Sequence, residues 1–111
     1  MRANVYFTRE ITPEKVVELY RALGVELPGK VAVKVHSGEK GNQNFLRPEF
    51  WCPMVEEVHG TIVECNTAYG GSRAETAMHY QVAEDHGFTA IADVQIQDEN
   101  GSMSIPVEGG T

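Results

Sequence analysis

Segments of strand length and segments of helix length alternate along this chain, and this alternation limits the fold more than any other feature. Apolar runs bounded by turn residues predict strands at residues 5–8, 31–36, 61–65 and 91–96. The stretches between them carry helical patterns. Because a helical crossover returns the chain in its original direction, the order predicts an α/β three-layer sandwich, in which a mostly parallel sheet is flanked by helices.

Proline, glycine and capping residues indicate where the first two helices begin and end. Thr12 followed by Pro13 is typical of a helix start, and Gly24 of a helix end. The second helix is predicted over residues 48–59. Pro53 removes an internal hydrogen bond there, so we expect it to kink or restart the helix.

The third helix is predicted to begin at Ser72, because Glu75 three residues later completes a capping-box pattern. Gly87 predicts its end. Its buried side is predicted to consist of Ala74, Ala77, Met78 and Val82. After the fourth strand, residues 99–101 read as a hairpin turn and residues 103–107 as the returning strand.

Length and charge restrict the classes of protein to consider. The 111 residues correspond to one α/β domain, 1–111. A formal net charge of −7 disfavours nucleic acid as a partner. The longest apolar runs are too short to cross a bilayer, so we expect no membrane partner. The N-terminal residues lack the pattern of a secretory signal, and we therefore expect a cytoplasmic protein.

The two cysteines, Cys52 and Cys65, do not form a CxxC pair. Neither a disulfide framework nor a zinc ribbon is therefore predicted, and both residues are interpreted as buried reduced thiols, with a surface thiol at Cys52 as the open alternative. An iron–sulfur cluster needs about four cysteine ligands, so we expect none in this chain. A metal site built from His36 and Glu39 would need a third ligand such as Glu64, and we predict no metal.

Polar residues gather where two of the predicted strands end. Carboxyl ends of parallel strands meet at one edge of a sheet, so residues 37–44 and 66–73 are expected to converge there. The free N–H groups of a helix start beside Arg73 compose an anion cradle. The predicted ligand-binding residues are Lys34, Lys40, Asn42, Asn44, Asn66, Tyr69, Gly70, Gly71, Ser72 and Arg73. Neither loop matches a Walker motif or a dinucleotide fingerprint.

Proton transfer at this edge is assigned to His36 or Glu39, because neighbouring charges tune such groups toward neutrality. Structural alternatives remain open. His36 can be a strand-end residue whose hydrogen bonds are satisfied within the protein, and Lys34 can be a solvated surface residue. The asparagines can be turn formers. Tyr69 is interpreted as a possible lid over a ligand, and Arg73 is expected to be mostly exposed. The other histidines are interpreted as surface or capping groups, namely His59, His79 and His86.

The stretches VKVHSGEKGNQNFLRPEF, NTAYGGSR, HGFT and IPVEGGT resemble the N-terminal part of the DUF362 family. The resemblance implies a fragment of a longer cytoplasmic protein, with the missing C-terminal region as a partner and an iron–sulfur cluster elsewhere in the parent chain. We therefore expect the N-terminal part of an iron–sulfur-associated redox enzyme that binds a small anionic ligand. The alternative is a noncatalytic binding or electron-transfer scaffold whose loops dock the missing region.

Overall fold

The computed structural model describes residues 2–101 and 103–110. Over these residues, three strands form one parallel sheet in the order β1-β2-β3. The elements follow one another as α1 Pro13–Leu23, β1 Ala32–Lys34, α2 Pro48–Glu57, β2 Thr61–Glu64, α3 Thr76–Asp85 and β3 Val94–Ile96, with a short 3-10 helix, Phe88–Ala90, before β3. The predicted α/β class, with a parallel sheet and flanking helices, is confirmed.

The strands β1 and β2 are parallel neighbours joined by α2, as predicted. Val33 lies opposite Ile62, and Ile62 lies opposite Val94, so these three side chains share one face of the sheet. Val55 of α2 and Ala83 of α3 pack into the same buried cluster as Ile62. Both crossover helices thus cover this face, and burial of their apolar side chains holds the sheet and helices together.

The predicted start and end of α1 are both confirmed. The hydroxyl of Thr12 accepts a hydrogen bond from the backbone N–H of Lys15 at 3.3 Å, and Pro13 occupies the first turn. Gly24 ends the helix in the left-handed conformation, at φ 61°. The second helix continues through Pro53 without a restart.

The predicted strands near the two ends of the chain are wrong. Residues 5–8 and 103–107 form neither strand nor helix, and the hairpin around residues 99–101 is not formed by the described residues. Their apolar side chains are exposed, namely Val5, Phe7, Met103, Ile105 and Val107. Alternation of apolar residues indicates a strand only where a neighbouring strand and a core face receive it, and the described residues provide neither for these two segments.

The predicted start of α3 is also wrong. The helix begins at Thr76, and its N-cap Glu75 makes no side-chain capping bond, so Ser72 lies in a turn outside the helix. The predicted buried residues Ala77 and Met78 are exposed. The predicted burial of Val82 is confirmed, and the other buried residues of the helix are His79 and Ala83. These positions are spaced i, i+3 and i+4, which gives one helix face.

Among the residues that the structure describes, no helix combines the length and apolar character needed to span a membrane.

Candidate functional site

The loops after β1 and β2 meet at the carboxyl edge of the sheet, as predicted. Arg73, from the loop after β2, reaches two residues of the chain that follows β1. Its Nε donates to Glu39 Oε1 at 2.8 Å, and its Nη2 lies 3.4 Å from His36 Nε2. A guanidinium group only donates hydrogen bonds, so the contact with His36 requires a free lone pair on Nε2.

Glu64 is the buried centre of this edge. It is the last residue of β2, and its side chain is 4% exposed. Its Oε1 accepts hydrogen bonds from Ser37 N at 2.8 Å, Ser37 Oγ at 3.1 Å and Arg73 Nη1 at 3.2 Å. Its Oε2 accepts one from Lys34 Nζ at 2.8 Å. Burial opposes ionisation, but the hydrogen bonds from Lys34 and Ser37 outweigh it and hold the pKa of Glu64 below its usual value.

Arg73 is buried, which corrects the prediction that it is mostly exposed. Its side chain is 4% exposed. Its Nη2 lies 2.6 Å from Glu39 Oε1 and donates to the Tyr69 hydroxyl at 3.1 Å. Burial favours the neutral form, yet the hydrogen bond with Glu39 and the charge of Glu64 raise the pKa of Arg73. The guanidinium is thus engaged by protein groups on several sides.

Glu39 lies nearer the solvent than Glu64. Its side chain is 31% exposed, and its Oε1 also accepts a hydrogen bond from the hydroxyl of the exposed Tyr69 at 2.9 Å. The hydrogen bond from Arg73, reinforced by the one from Tyr69, lowers the pKa of Glu39 against the effect of burial. Glu39 is therefore ionised at neutral pH and is a weak proton acceptor.

The remaining predicted ligand residues are placed in different surroundings. Lys34 is exposed, and its Nζ also donates to the carbonyl of Val35 at 2.7 Å. Asn42 Oδ1 accepts from the backbone N–H of Asn44 at 2.7 Å, which is a local turn contact. Lys40 and Ser72 both line a small cavity of about 100 Å³ against α3. The structure therefore brings only part of the predicted set together around Arg73.

A second polar cluster, in which His79 is the buried member, lies at α3. Asn66 Nδ2 donates to Thr76 Oγ1 at 2.8 Å, so Asn66 Oδ1 faces His79 Nδ1, 3.1 Å away. His79 is fully buried and its Nε2 has no hydrogen-bond partner among the described residues, which corrects the prediction of a surface histidine. Burial lowers the pKa of His79 and keeps the ring neutral.

Tight packing fixes the loop that carries Glu39. Gly38 has φ 82°, and a Cβ at this position would lie 2.5 Å from Phe45 Cδ1. The ring of Phe45 stacks on His86 at a centroid distance of 4.4 Å. His86 Nδ1 in turn lies 2.7 Å from the carbonyl oxygen of Ser37. His86 therefore positions the loop, a role that the sequence pattern of a helix end did not indicate.

The charges of the site balance within the protein. Two cations, Lys34 and Arg73, face two carboxylates, Glu39 and Glu64. From the sequence, Glu64 is expected only as a third metal ligand. A glutamate at the end of an apolar strand also indicates a buried ion pair, and this signal could have identified its role. Within residues 2–101 and 103–110, no group of three or more histidine, cysteine, aspartate or glutamate residues is arranged to hold a metal ion.

The cysteines do not fit an iron–sulfur cluster within this chain. There are two of them, fewer than the four or so that such a cluster needs. Cys65 is exposed, so the prediction that this thiol is buried is wrong, whereas Cys52 is half-buried. Cys65 follows the last residue of β2, and its side chain lies outside the core that the strand residues enter.

Comparison with known proteins gives one match. No curated protein and no solved structure matches the chain. The sequence profile of a domain of unknown function, DUF362, matches residues 31–111, which is more than half of the chain and includes the whole sheet and both loops of the site. The chain belongs to the DUF362 family.

Proposed function

We propose that the carboxyl edge of the sheet binds a small anionic ligand, as part of a cytoplasmic, iron–sulfur-associated redox protein. The observation that carries this proposal is the contact of Arg73 with Glu39 and His36, because it joins the two loops at one place. Ligands of open α/β sheets bind at this edge, where the loops after neighbouring strands converge. Lys34 and Arg73 supply positive charge on the two sides of the site.

We assign proton transfer in this proposal to His36 rather than to Glu39. His36 is exposed, and its Nε2 points a lone pair at Arg73. Glu39 is held ionised by Arg73 and Tyr69, and its lowered pKa makes it a poor base. An imidazole ring carries one nitrogen that can donate a proton and one that can accept it, which is what a proton-transfer group requires.

The redox part of the proposal rests on the resemblance to the DUF362 family. Because the two cysteines of this chain do not suffice for a cluster, a cluster would be held by another part of the parent protein. What this domain contributes is the binding edge and the charged groups around it.

A titration followed by NMR tests the ligand site. We expect phosphate or succinate to shift the backbone amides of residues 37–44 and 66–73. The Lys34→Gln variant should bind these anions more weakly, because it removes one of the two cations, whereas Lys30→Gln, a change at an exposed lysine away from this edge, should not. No shift in either loop, or equal weakening in both variants, would contradict the proposal.

The alternative function is a noncatalytic scaffold whose loops dock the missing C-terminal region. The observation in its favour is the exposure of large apolar side chains outside the sheet, among them Phe7, Met103 and Ile105. Under this alternative, phosphate and succinate leave both loops unchanged. Adding the remaining part of the parent chain in trans would instead shift the amides of the loops.

A further inference from the structure

We infer that Arg73 and Tyr69 form a cradle for the carboxylate group of a small organic acid, and that Glu39 occupies this cradle in the free protein. The inference rests on the proposed ligand site and names the class of ligand that it accepts. It also gives Glu39 a role other than proton transfer, namely that of an internal competitor for the ligand.

Two hydrogen bonds and a further guanidinium nitrogen converge on one oxygen atom of Glu39. Arg73 Nε lies 2.8 Å from Oε1, Arg73 Nη2 lies 2.6 Å from it, and the Tyr69 hydroxyl donates to it at 2.9 Å. Charge-assisted hydrogen bonds of this length are the strong ones. The convergence of a guanidinium group and a hydroxyl on one oxygen atom is an arrangement with which proteins bind an oxyanion.

Of the two carboxylates around Arg73, only Glu39 is placed to exchange with one from the solvent. Glu64 is buried and is held by Lys34 and Ser37 in addition to Arg73. Glu39 has a 31% exposed side chain, and in the described part of the chain its hydrogen-bond donors are Arg73 and Tyr69 alone. A ligand carboxylate can therefore reach the same donors once Glu39 turns away.

The neighbouring loop leaves room for this exchange. Gly70 is exposed, and a Cβ built on it would meet no atom within 4 Å. A Cβ built on Gly71 would lie 3.7 Å from Glu39 Oε2, so this glycine lines the other side of the carboxylate. Glycines at both positions let a bound acid extend from the cradle past the loop into the solvent.

The charge of the site favours a carboxylate over a phosphate. Replacing Glu39 by a ligand carboxylate keeps one negative charge at Arg73, so the buried guanidinium stays compensated throughout the exchange. Phosphate carries more charge at neutral pH and would place it near the ionised Glu64, which Arg73 also contacts at 3.2 Å. The cradle therefore suits the end of a small organic acid.

Removing the internal competitor tests the inference. The Glu39→Ala variant should bind acetate and succinate several-fold more tightly than the wild-type chain, as measured by calorimetric or NMR titration, because Arg73 Nε and the Tyr69 hydroxyl lose their internal acceptor. The Glu26→Ala variant is the matched control: it removes the same charge at an exposed position and should leave the affinity unchanged. Adding Tyr69→Phe to Glu39→Ala should reverse part of the gain.

The outcomes separate the inference from the proposed function. If the wild-type loops respond to anions but Glu39→Ala binds acetate no more tightly, the cradle is wrong and the ligand site stands. If Glu39→Ala binds acetate more tightly but the wild-type loops do not respond to anions, the cradle is correct and the proposed function is wrong. A preference of Glu39→Ala for phosphate over acetate overturns the ligand class. Should Glu39→Ala fail to fold, Glu39→Met keeps a side chain of similar length without an oxygen to accept from Arg73 and Tyr69, and an unchanged acetate affinity in it overturns the inference.

Discussion

Two arginine–glutamate pairs join different parts of this molecule, and they differ mainly in their exposure to water. On the outer surface, Arg21 of α1 holds Glu57 of α2 through Nε at 2.7 Å and Nη2 at 2.6 Å, with side chains 64% and 26% exposed. At the carboxyl edge, Arg73 and Glu64 are each 4% exposed and lie 3.2 Å apart. The surface pair has the better geometry. Breaking the buried pair should lower the stability more than breaking the surface pair, because a charge left without its partner in the interior is not solvated by water.

The strongest test of this difference is to remove Arg73. The Arg73→Met variant keeps an apolar stem of similar length but leaves Glu64 buried with one cation fewer and Glu39 without its main partner. Breaking a buried ion pair in this way costs about 3–5 kcal/mol of the free energy of unfolding. Urea denaturation, followed by circular dichroism, measures the loss.

A second substitution shows whether the lost pairing is the cause. In the Arg73→Met background, Glu64→Gln removes the uncompensated charge, so it should return part of the lost free energy. If Glu64→Gln lowers the stability further instead, the charge of Glu64 is compensated by groups other than Arg73. Burial of the Arg73–Glu64 pair would then not explain a greater effect on stability than that of the surface pair.

The next effect in size is the loss of stability in acid. His79 has a folded pKa below its ordinary 6.5, so its neutral form contributes fully above pH 6.5, and this contribution is lost as the pH falls toward the lowered value. Glu64 has a folded pKa below its ordinary 4.5, so its contribution is complete above pH 4.5 and is lost at lower pH. The surface pair of Arg21 and Glu57 gives no comparable dependence of the stability on pH above pH 4.5.

Urea midpoints across a series of pH values check this expectation. The His79→Gln variant should flatten the first decline, just below pH 6.5, and leave the one below pH 4.5 in place. Parallel pH profiles for the wild-type chain and His79→Gln between pH 6.5 and 4.5 would mean that His79 titrates freely in the folded protein.

Sequence patterns predicted the central part of the fold because each signal there was local. Thr12 with Pro13 marked the start of α1, and the apolar runs marked the three strands that form the sheet. The parallel pairing followed from the length of the crossovers. Ser72 carried an equally good local signal and was misleading, because the chain between Ser72 and Thr76 forms a turn that brings Arg73 into the site.

The position of the site was predictable, whereas its internal contacts were not. Converging loops follow from a parallel sheet, so the meeting of residues 37–44 with Arg73 could be expected. That Arg73 would be buried between Glu39 and Glu64 depends on distances across the fold, which no spacing along the chain encodes. The same holds for His79, which lies on the buried face of α3 and contacts Asn66 from the loop after β2.

The smallest expected effect is at the surface pair. The Arg21→Ala variant should leave the urea midpoint unchanged within the error of measurement, because water solvates Glu57 as well as the arginine does. A double-mutant cycle with Glu57→Ala isolates the coupling between the two side chains. Raising the salt concentration should reduce even this coupling, since exposed charges are screened. A coupling as large as that between Arg73 and Glu64, measured by the same cycle, would show that fork geometry rather than burial decides what an arginine–glutamate pair contributes in this protein.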